Sequence, residues 1–272
     1  MPKRTRDRQL AKLAARRQAE REAQQRRRTR TFRTVALVAG VALAALVVIQ
    51  LVGGGGKGSA SPSQSPGPSA TPSAAPVACG ATAPKAADQQ RPTYAKPPKM
   101  TIDPNKTYTA TMVTSCGTIT IELNARAAPV GVNNFVFLAE NGFYDGTTFH
   151  RIVKDFVIQG GDPEGTGQGG PGYGFAIETD ASTTFDTPGV VAYANSGPDS
   201  NGSQFFITLQ ATPQLDPTPQ SSYTIFGQVI KGMDVVEKIG KIPGTSNPGI
   251  PGENSVPTET VYIEKVTIQE SK

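Results

Sequence analysis

The sequence has few of the residues on which metal and nucleophile chemistry depends. Its 272 residues include one histidine, His150, and two cysteines, Cys79 and Cys116. A histidine-rich metal site is therefore excluded, and the cysteine and histidine count is too small for structural zinc. A Ser-His-Asp hydrolase would have to use His150, but no Gly-x-Ser-x-Gly elbow accompanies it. Taken alone, such a histidine is more often structural.

Nucleotide-binding signatures are also scarce. No Gly-Lys-[Ser/Thr] sequence is present. Residues 165–170 satisfy the pattern G-x-G-x-x-G, but Pro171 follows, and neither a clear parallel-strand unit nor a long helix flanks them. We interpret this segment as a surface loop.

The positive charge of the chain is confined to one end. Residues 1–33 hold 13 of the 27 Lys and Arg residues and 3 of the 22 Asp and Glu residues, so this tail carries +10 and the remainder −5. A mildly acidic remainder argues against binding of DNA or RNA by the folded part. The tail is rich in helix formers, and it either lies on anionic lipid or is simply solvated.

One long apolar run follows the basic tail. Residues 34–52 contain no charge and approach the ~20 residues that span a bilayer. A cleaved signal peptide is the alternative, although its apolar region is usually shorter and no small-x-small site directly follows Val52. The positive-inside rule places residues 1–33 in the cytoplasm. We therefore expect a single-pass protein of the cell membrane whose remaining residues are extracytoplasmic.

Residues 53–100 have the composition of a linker. They are rich in Gly, Ser, Ala and Pro and hold almost no large apolar side chain. Such a segment buries too little surface to offset its ordering entropy, so we predict a flexible linker with a reach of roughly 40 Å. A disulfide between Cys79 and Cys116 would pin the end of this linker to the domain, and it is allowed outside the membrane. The sequence leaves that pairing open.

Residues 101–272 form the predicted domain, in which apolar residues recur with a period of two. Residues 117–123 place Ile119, Ile121 and Leu123 on one face. Similar runs occur at 149–152, 156–159, 189–194, 204–209, 223–230 and 260–268. Helices are predicted over residues 129–141 and 231–240. Short strands with two helices favour a mainly β fold, a closed antiparallel barrel whose ends the helices cover.

Two segments concentrate residue types that are suited to holding a peptide. In residues 149–162, alternation lets three side chains project toward one surface: Arg151, Phe156 and Gln159. In residues 194–207, a strand face and the backbone before it offer further groups to an extended peptide: Asn195, Gln204 and Phe206.

These two segments resemble the cyclophilins. FHRIVKDFVIQGGD and ANSGPDSNGSQFFIT are similar to that family's two signature segments, and the resemblance covers nearly all of residues 107–270. GTGQGGPGYG between them and YTIFGQVIKGMDVVEKI after them also fit. The resemblance implies an eight-stranded barrel capped by two helices. It further implies a peptidyl-prolyl cis-trans isomerase, which rotates X-Pro bonds in proline-containing polypeptides without cofactor or metal.

The resemblance also implies roles for individual residues. The catalytic arginine falls on Arg151, and a supporting histidine falls on His150. The apolar pocket for proline falls on Phe156, Val157, Phe206 and Leu215. Polar groups that orient the peptide fall on Gln159 and Gln204. The edge that binds the peptide backbone falls on Ala194 and Asn195, and the pocket rim on Tyr223.

Three positions depart from the family's pattern. Gln214 stands where many eukaryotic members have tryptophan, which puts tight cyclosporin binding in doubt more than catalysis. Tyr223 stands where many members have a histidine at the rim. Val157 is smaller than the methionine often found at its position, so we expect a slightly roomier pocket for proline. Residues 217–222 form an insert that is expected to change the edge of the pocket.

The two halves of the chain together suggest where the enzyme acts. We expect a monomeric domain that assists the folding of extracytoplasmic proteins near the membrane. A module that binds proline-containing segments without turnover would lack the arginine or the aromatic residues, and both are present. A structural protein of the cell wall is favoured only by the membrane span and the linker.

Overall fold

A computed structural model describes residues 75–216 and 222–271 of the chain. Within these two ranges, no helix is both long enough and apolar enough to span a bilayer. The predicted basic tail at 1–33, the predicted span at 34–52 and the first part of the predicted linker lie outside the described residues. Most of the insert at 217–222 does so as well.

The described residues form two α-helices, two single turns of 3-10 helix and eleven strands. The α-helices are α1 (Pro129–Glu140) and α2 (Met233–Gly240). The 3-10 turns are Ala78–Gly80 and Pro213–Leu215. The strands are β1 (Thr107–Thr114), β2 (Gly117–Leu123), β3 (Thr147–Thr148), β4 (Arg151–Val153), β5 (Val157–Gly160), β6 (Val190–Tyr193), β7 (Phe205–Thr208), β8 (Ile225–Lys231), β9 (Gly244–Ser246), β10 (Asn254–Pro257) and β11 (Tyr262–Ser271).

Nine strands form one antiparallel sheet in the order β3-β11-β1-β2-β8-β6-β7-β5-β4. Only residues 149–150 separate its two edge strands, β3 and β4, so the sheet must curl until its edges approach each other. One isolated bridge, between Thr148 and Asp162, connects the two sides, and no continuous ladder closes the sheet within the described residues. The described residues therefore confirm a mainly β fold with two helices, and they form a curled sheet of nine strands in which the expected closure into an eight-stranded barrel is not confirmed.

The other predicted strands are present, with ends that differ by up to three residues from the predicted ones. The alternation of apolar residues in the sequence did not lead to a prediction of β1. In the structure, burial alternates along the whole strand, and Tyr108, Ala110 and Met112 point inward. It pairs with β2 on one side and with β11 on the other. The short strands β9 and β10, which form a separate hairpin, were not predicted either.

Both predicted helices are confirmed, and glycines define two of their ends. Gly142 has a φ of +65° just after α1, and Gly232 has a φ of +84° just before α2. A left-handed residue cannot continue an α-helix, which explains why α2 begins at Met233 rather than at the predicted residue 231.

Buried apolar side chains form a large core and a smaller cluster. The large core lies between the sheet and the helices, and Phe135 of α1 packs against the rings of Tyr144 and Phe226, with centroids 4.9 Å and 5.2 Å away. The smaller cluster includes Val157 of β5 and Phe206 of β7. This smaller cluster lies under a pocket on the surface of the sheet, and it therefore bears on function.

Residues 75–100 correct the predicted linker, which was expected to reach residue 100. The N–H of Ala78 donates to the carbonyl of Thr260 (2.9 Å), and the N–H of Tyr94 donates to the carbonyl of Pro171 (2.8 Å). The ring of Tyr94 meets that of Phe137 edge-on at 5.0 Å. We call residues 75–100 the strap. Composition pointed to a flexible chain, but a few long-range contacts hold the strap on the domain.

The strap is also covalently attached to the sheet. Cys79 and Cys116 form a disulfide with their Cα atoms 5.2 Å apart, which decides the pairing that the sequence left open. At two glycines, the backbone of the domain lies too close to the strap to leave room for a side chain. A Cβ at Gly146 would lie 2.5 Å from the carbonyl of Ala86, and one at Gly172 would lie 2.7 Å from the carbonyl of Tyr94.

Candidate active site

The central site residues come from neighbouring strands in register. Arg151 of β4 pairs with Gln159 of β5, which pairs with Phe206 of β7, which pairs with Ala192 of β6. Residues directly opposite one another on adjacent strands share a face of the sheet. The register therefore sets the arginine, the amide and the aromatic ring in one row across the strands.

A cavity of about 680 Å³ opens beside this row. Ten of the eleven predicted site residues line it: His150, Arg151, Phe156, Val157, Gln159, Ala194, Asn195, Phe206, Leu215 and Tyr223. The eleventh, Gln204, lines an adjoining cleft of about 810 Å³, which also contacts Gln159, Ala194 and Asn195. The structure thus brings all the predicted side chains to two connected depressions.

The floor of the cavity is apolar and aromatic. Phe206 is 5% exposed, and its ring meets that of Tyr223 edge-on at 5.4 Å. Phe185, which the sequence analysis missed, stacks on Phe206 at 6.0 Å and is fully buried. Phe156 and Leu215 pack against the same cluster while remaining partly exposed. An apolar ring that entered this cavity would exchange water for hydrocarbon on several sides.

A row of hydrogen bonds borders the apolar floor. Nη1 of Arg151 donates to Oε1 of Gln159 (3.1 Å), and Nε2 of Gln159 donates to Oε1 of Gln204 (3.0 Å). Nε2 of Gln204 then donates to the carbonyl of Gly169 (2.9 Å), in the glycine-rich loop between β5 and β6. This row, which we call the amide row, runs from the cavity to the adjoining cleft, because Arg151 lines the first and Gln204 lines the second. Because each amide binds the next, their orientations are fixed together.

Asn195 lies at the edge of both depressions, and its side chain is occupied. Its Nδ2 donates to the carbonyl of Ser222 (3.1 Å), and its Oδ1 accepts from the N–H of Gly197 (3.2 Å). Within the described residues, its own backbone N–H and C=O make no hydrogen bond. A backbone edge of this kind can pair with an extended peptide.

His150 lies directly beside the arginine and is largely buried. Burial lowers the pKa of His150 below its usual value of 6.5, while the nearby Asp162 carboxylate opposes this shift and Arg151 adds to it. The imidazole is therefore neutral at pH 7. A neutral ring adds no further positive charge beside the guanidinium.

Glu253 is a site residue that the sequence analysis missed. Its carboxylate accepts from Nε of Arg151 (2.8 Å) and from Nη2 of Arg151 (2.7 Å). The hydrogen bonds from Arg151 hold the pKa of Glu253 below its usual value. Glu253 lies in the turn between β9 and β10, and residues 247–250 of the same turn line the cavity. This segment is rich in Pro and Gly and has no period, so no local pattern indicated its position.

None of the described side chains forms a group of three or more His, Cys, Asp or Glu residues that could hold a metal ion. The groups that the site does present are its arginine, its amides, a backbone edge and an apolar floor. A curled antiparallel sheet that sets these groups beside a cavity with an apolar floor is the arrangement of a prolyl isomerase of the cyclophilin type.

Comparison with known proteins gives the same class. The family model for cyclophilin type peptidyl-prolyl cis-trans isomerases matches residues 109–268, so the chain belongs to this enzyme family. Peptidyl-prolyl cis-trans isomerase A of Mycobacterium tuberculosis is 45% identical over 186 residues, which cover 62% of this chain and 96% of that protein. Peptidyl-prolyl cis-trans isomerase-like 1 of Homo sapiens is 48% identical over 136 residues, which cover 49% of this chain and 80% of that protein.

Solved structures agree with the fold. A cyclophilin type isomerase of Cryptosporidium parvum is 32% identical and has a TM-score of 0.54, covering 61% of this chain and 99% of that chain. A crystal structure of the same protein in the presence of the dipeptide Ala-Pro gives a TM-score of 0.53 at 32% identity, covering 60% of this chain and 99% of that chain.

Proposed function

We propose that this chain accelerates X-Pro rotation in extracytoplasmic proteins and thereby assists their folding, with Arg151 as its catalytic residue. One observation carries the assignment of Arg151. Its guanidinium and the aromatic floor around Phe206 line the same 680 Å³ cavity. A proline ring on that floor would bring its amide nitrogen toward the arginine.

The reaction requires no nucleophile. An amide resists rotation by ~18–20 kcal/mol because its nitrogen shares a lone pair with the carbonyl, and X-Pro isomers exchange only over tens of seconds or longer. When the bond is twisted, the nitrogen becomes pyramidal and its lone pair becomes a hydrogen-bond acceptor. An N–H of Arg151 that donates to this nitrogen would stabilise the twisted state more than either planar isomer.

The remaining groups hold the two sides of the bond. The apolar floor, with Phe156, Val157, Phe206 and Leu215, would bind the proline ring. Gln159, Gln204, Ala194 and the backbone of Asn195 would bind the peptide on the other side of the X-Pro bond. Rotation would then occur between two held groups, and His150 and Tyr223 would complete the wall of the cavity.

The proposed location of the enzyme is supported by the N-terminal part of the sequence. The basic tail at 1–33 and the apolar run at 34–52 support a single membrane span with residues 1–33 in the cytoplasm. The Cys79–Cys116 disulfide supports an oxidising compartment for the domain, because cytosolic thiols are kept reduced. We propose that the membrane span holds the isomerase near secreted clients as they emerge.

The activity is tested by NMR exchange spectroscopy on a short X-Pro peptide with the full chain in mild detergent. We expect Arg151→Ala to lower kcat/KM about 100-fold, as the loss of one transition-state donor does elsewhere. Lys154→Ala, which removes an exposed cation from the turn after β4, is the matched control and should be unaffected. Binding of the peptide without faster exchange would show instead that the domain is a proline-binding module.

The location is tested by labelling lysines in intact cells with a reagent that does not cross membranes. The domain should be labelled to the same extent before and after lysis, while a cytoplasmic marker is labelled only after lysis. Protection of the domain in intact cells would contradict the proposed orientation. Removal of residues 34–52 should release the domain from the membrane fraction, and continued sedimentation with membranes would contradict the proposed anchor.

A further inference from the structure

The contact between Glu253 and Arg151 joins residues 102 positions apart in the chain. The carboxylate binds the arginine side-on, with one oxygen on Nε and the other on Nη2, at 2.8 Å and 2.7 Å. The side chains are only 19% and 22% exposed, so water competes little for these hydrogen bonds. Two-pronged pairs of this kind fix the plane of the guanidinium as well as its position.

The side-on arrangement determines which N–H groups remain for a substrate. A guanidinium has five N–H groups. Within the described residues, Glu253 takes two of them and Gln159 takes one, on Nη1 at 3.1 Å. The two that remain are one on Nη1 and one on Nη2. Glu253 and Gln159 thus hold two sides of the group and leave one N–H on each terminal nitrogen available.

Glu253 is itself held by the turn in which it lies. The N–H of Asn247 donates to the carbonyl of Glu253 (2.8 Å), and the N–H of Glu253 donates to the carbonyl of Ile250 (3.1 Å). Nδ2 of Asn247 also donates to Oγ of Ser255 (2.9 Å), which is fully buried. The carboxylate is therefore presented from a closed turn next to β10 rather than from a long free loop.

We infer that Glu253 is a positioning residue for the isomerase: it holds the guanidinium of Arg151 so that the free N–H groups meet the nitrogen of the twisted X-Pro bond. This inference rests on the proposed catalytic role of Arg151. The reaction places no net charge on the substrate, so a neutralising carboxylate removes little of the catalytic effect. Direction and distance of the donated hydrogen bond matter more, and the pair fixes both.

The test uses the full chain in detergent and compares Glu253→Gln, Glu253→Ala and the control Glu237→Gln. Glu237 is an exposed carboxylate on α2, so its variant makes the same charge change away from the cavity. We expect kcat/KM to fall about tenfold in Glu253→Gln, which keeps one acceptor, and about thirtyfold in Glu253→Ala, which keeps none. The dissociation constant of the peptide should change less than about twofold, because the apolar floor is intact.

A double-mutant cycle separates positioning from a general effect on the turn. If Glu253 acts through Arg151, Glu253→Ala should have no further effect on activity when Arg151 is already alanine. The Nε–H resonance of Arg151 should also exchange faster with water in Glu253→Ala than in the parent. An equal loss of activity in both backgrounds, no loss at all, or higher activity in Glu253→Ala would each overturn the inference.

Failure of the proposed function would look different. If the parent chain does not accelerate exchange, or if Arg151→Ala is as active as the parent, the catalytic role of Arg151 is wrong. In that case the double-mutant cycle cannot be interpreted, because no part of the activity depends on Arg151. If Arg151→Ala is inactive and both Glu253 variants match Glu237→Gln, the function stands and only the role of Glu253 fails.

Discussion

Replacing both cysteines by serine tests how the strap stabilises the domain. Cys79 and Cys116 lie 37 residues apart, so their bond closes a loop of that length in the unfolded chain. The loop-entropy relation gives about 4 kcal/mol at 25 °C for such a loop. Cys79 is exposed and Cys116 is partly exposed, so serine at these positions leaves no buried cavity to add to the loss. We expect Cys79→Ser/Cys116→Ser to lose about 4 kcal/mol of unfolding free energy.

The assay is guanidinium unfolding followed by circular dichroism. The variant's midpoint should fall, and its m value should rise, because the unfolded chain without a cross-link exposes more surface. At roughly 2–4 °C per kcal/mol for a domain of this size, the melting temperature should fall by roughly 8–16 °C.

The parent protein in a reducing agent provides the internal control, since it should unfold with the same curve as the double variant. A loss below about 1 kcal/mol in both samples would refute the loop-entropy reasoning, because the relation predicts about four times that amount. A large loss in the variant without a loss in the reduced parent would assign the effect to the serines instead of to the cross-link.

Two further predictions concern backbone geometry and pH. Gly232 and Gly252 both have a φ of +84°, but a Cβ at Gly232 would lie 2.3 Å from the carbonyl of Thr118 while one at Gly252 would meet nothing within 4 Å. Urea unfolding should therefore show a loss of about 1 kcal/mol for Gly252→Ala and a clearly larger one for Gly232→Ala, and equal losses would contradict the role of that contact. Because the pKa of His150 is lowered in the folded state, the unfolded chain takes up this proton first, and stability should fall as pH drops below 6.5 toward the folded-state pKa. His150→Gln should lose less unfolding free energy than the parent between pH 7 and pH 5, by up to about 1.4 kcal/mol per pH unit, and parallel losses would show that His150 does not titrate differently on folding.

The strands and helices that the sequence predicted are those with strong local patterns. Alternation in β2 and the apolar side of α1 follow from neighbouring residues alone. The strap had no such pattern, because its attachment depends on single contacts such as Tyr94 with Pro171, more than 70 positions away. Composition describes the average tendency of a segment, and a few specific contacts with a cross-link can outweigh it.

The residues of the candidate site likewise include some that the sequence could predict and some that it could not. Arg151, Gln159 and Phe206 lie on strands whose alternation and motif context could be predicted, and cross-strand register then places them in one row. Phe185 and Glu253 reach the site from irregular segments, where side-chain direction depends on the path of the backbone. The position of Glu253 beside Arg151 depends on the packing of the β9–β10 hairpin next to β4, and local sequence does not predict that packing.

The pairing of β1 with β11 has a consequence for the order in which the chain is made. Thr107 pairs with Ser271, 164 residues later, so at about 5–20 residues per second the ribosome needs roughly 8–30 s between them. During that interval β2 can cover one edge of β1, but none of the described residues that are already synthesised pairs with the other edge. Unpaired edges invite association with other chains. The nascent enzyme therefore passes through a stage in which it needs protection itself, and that stage ends only when its last strand emerges.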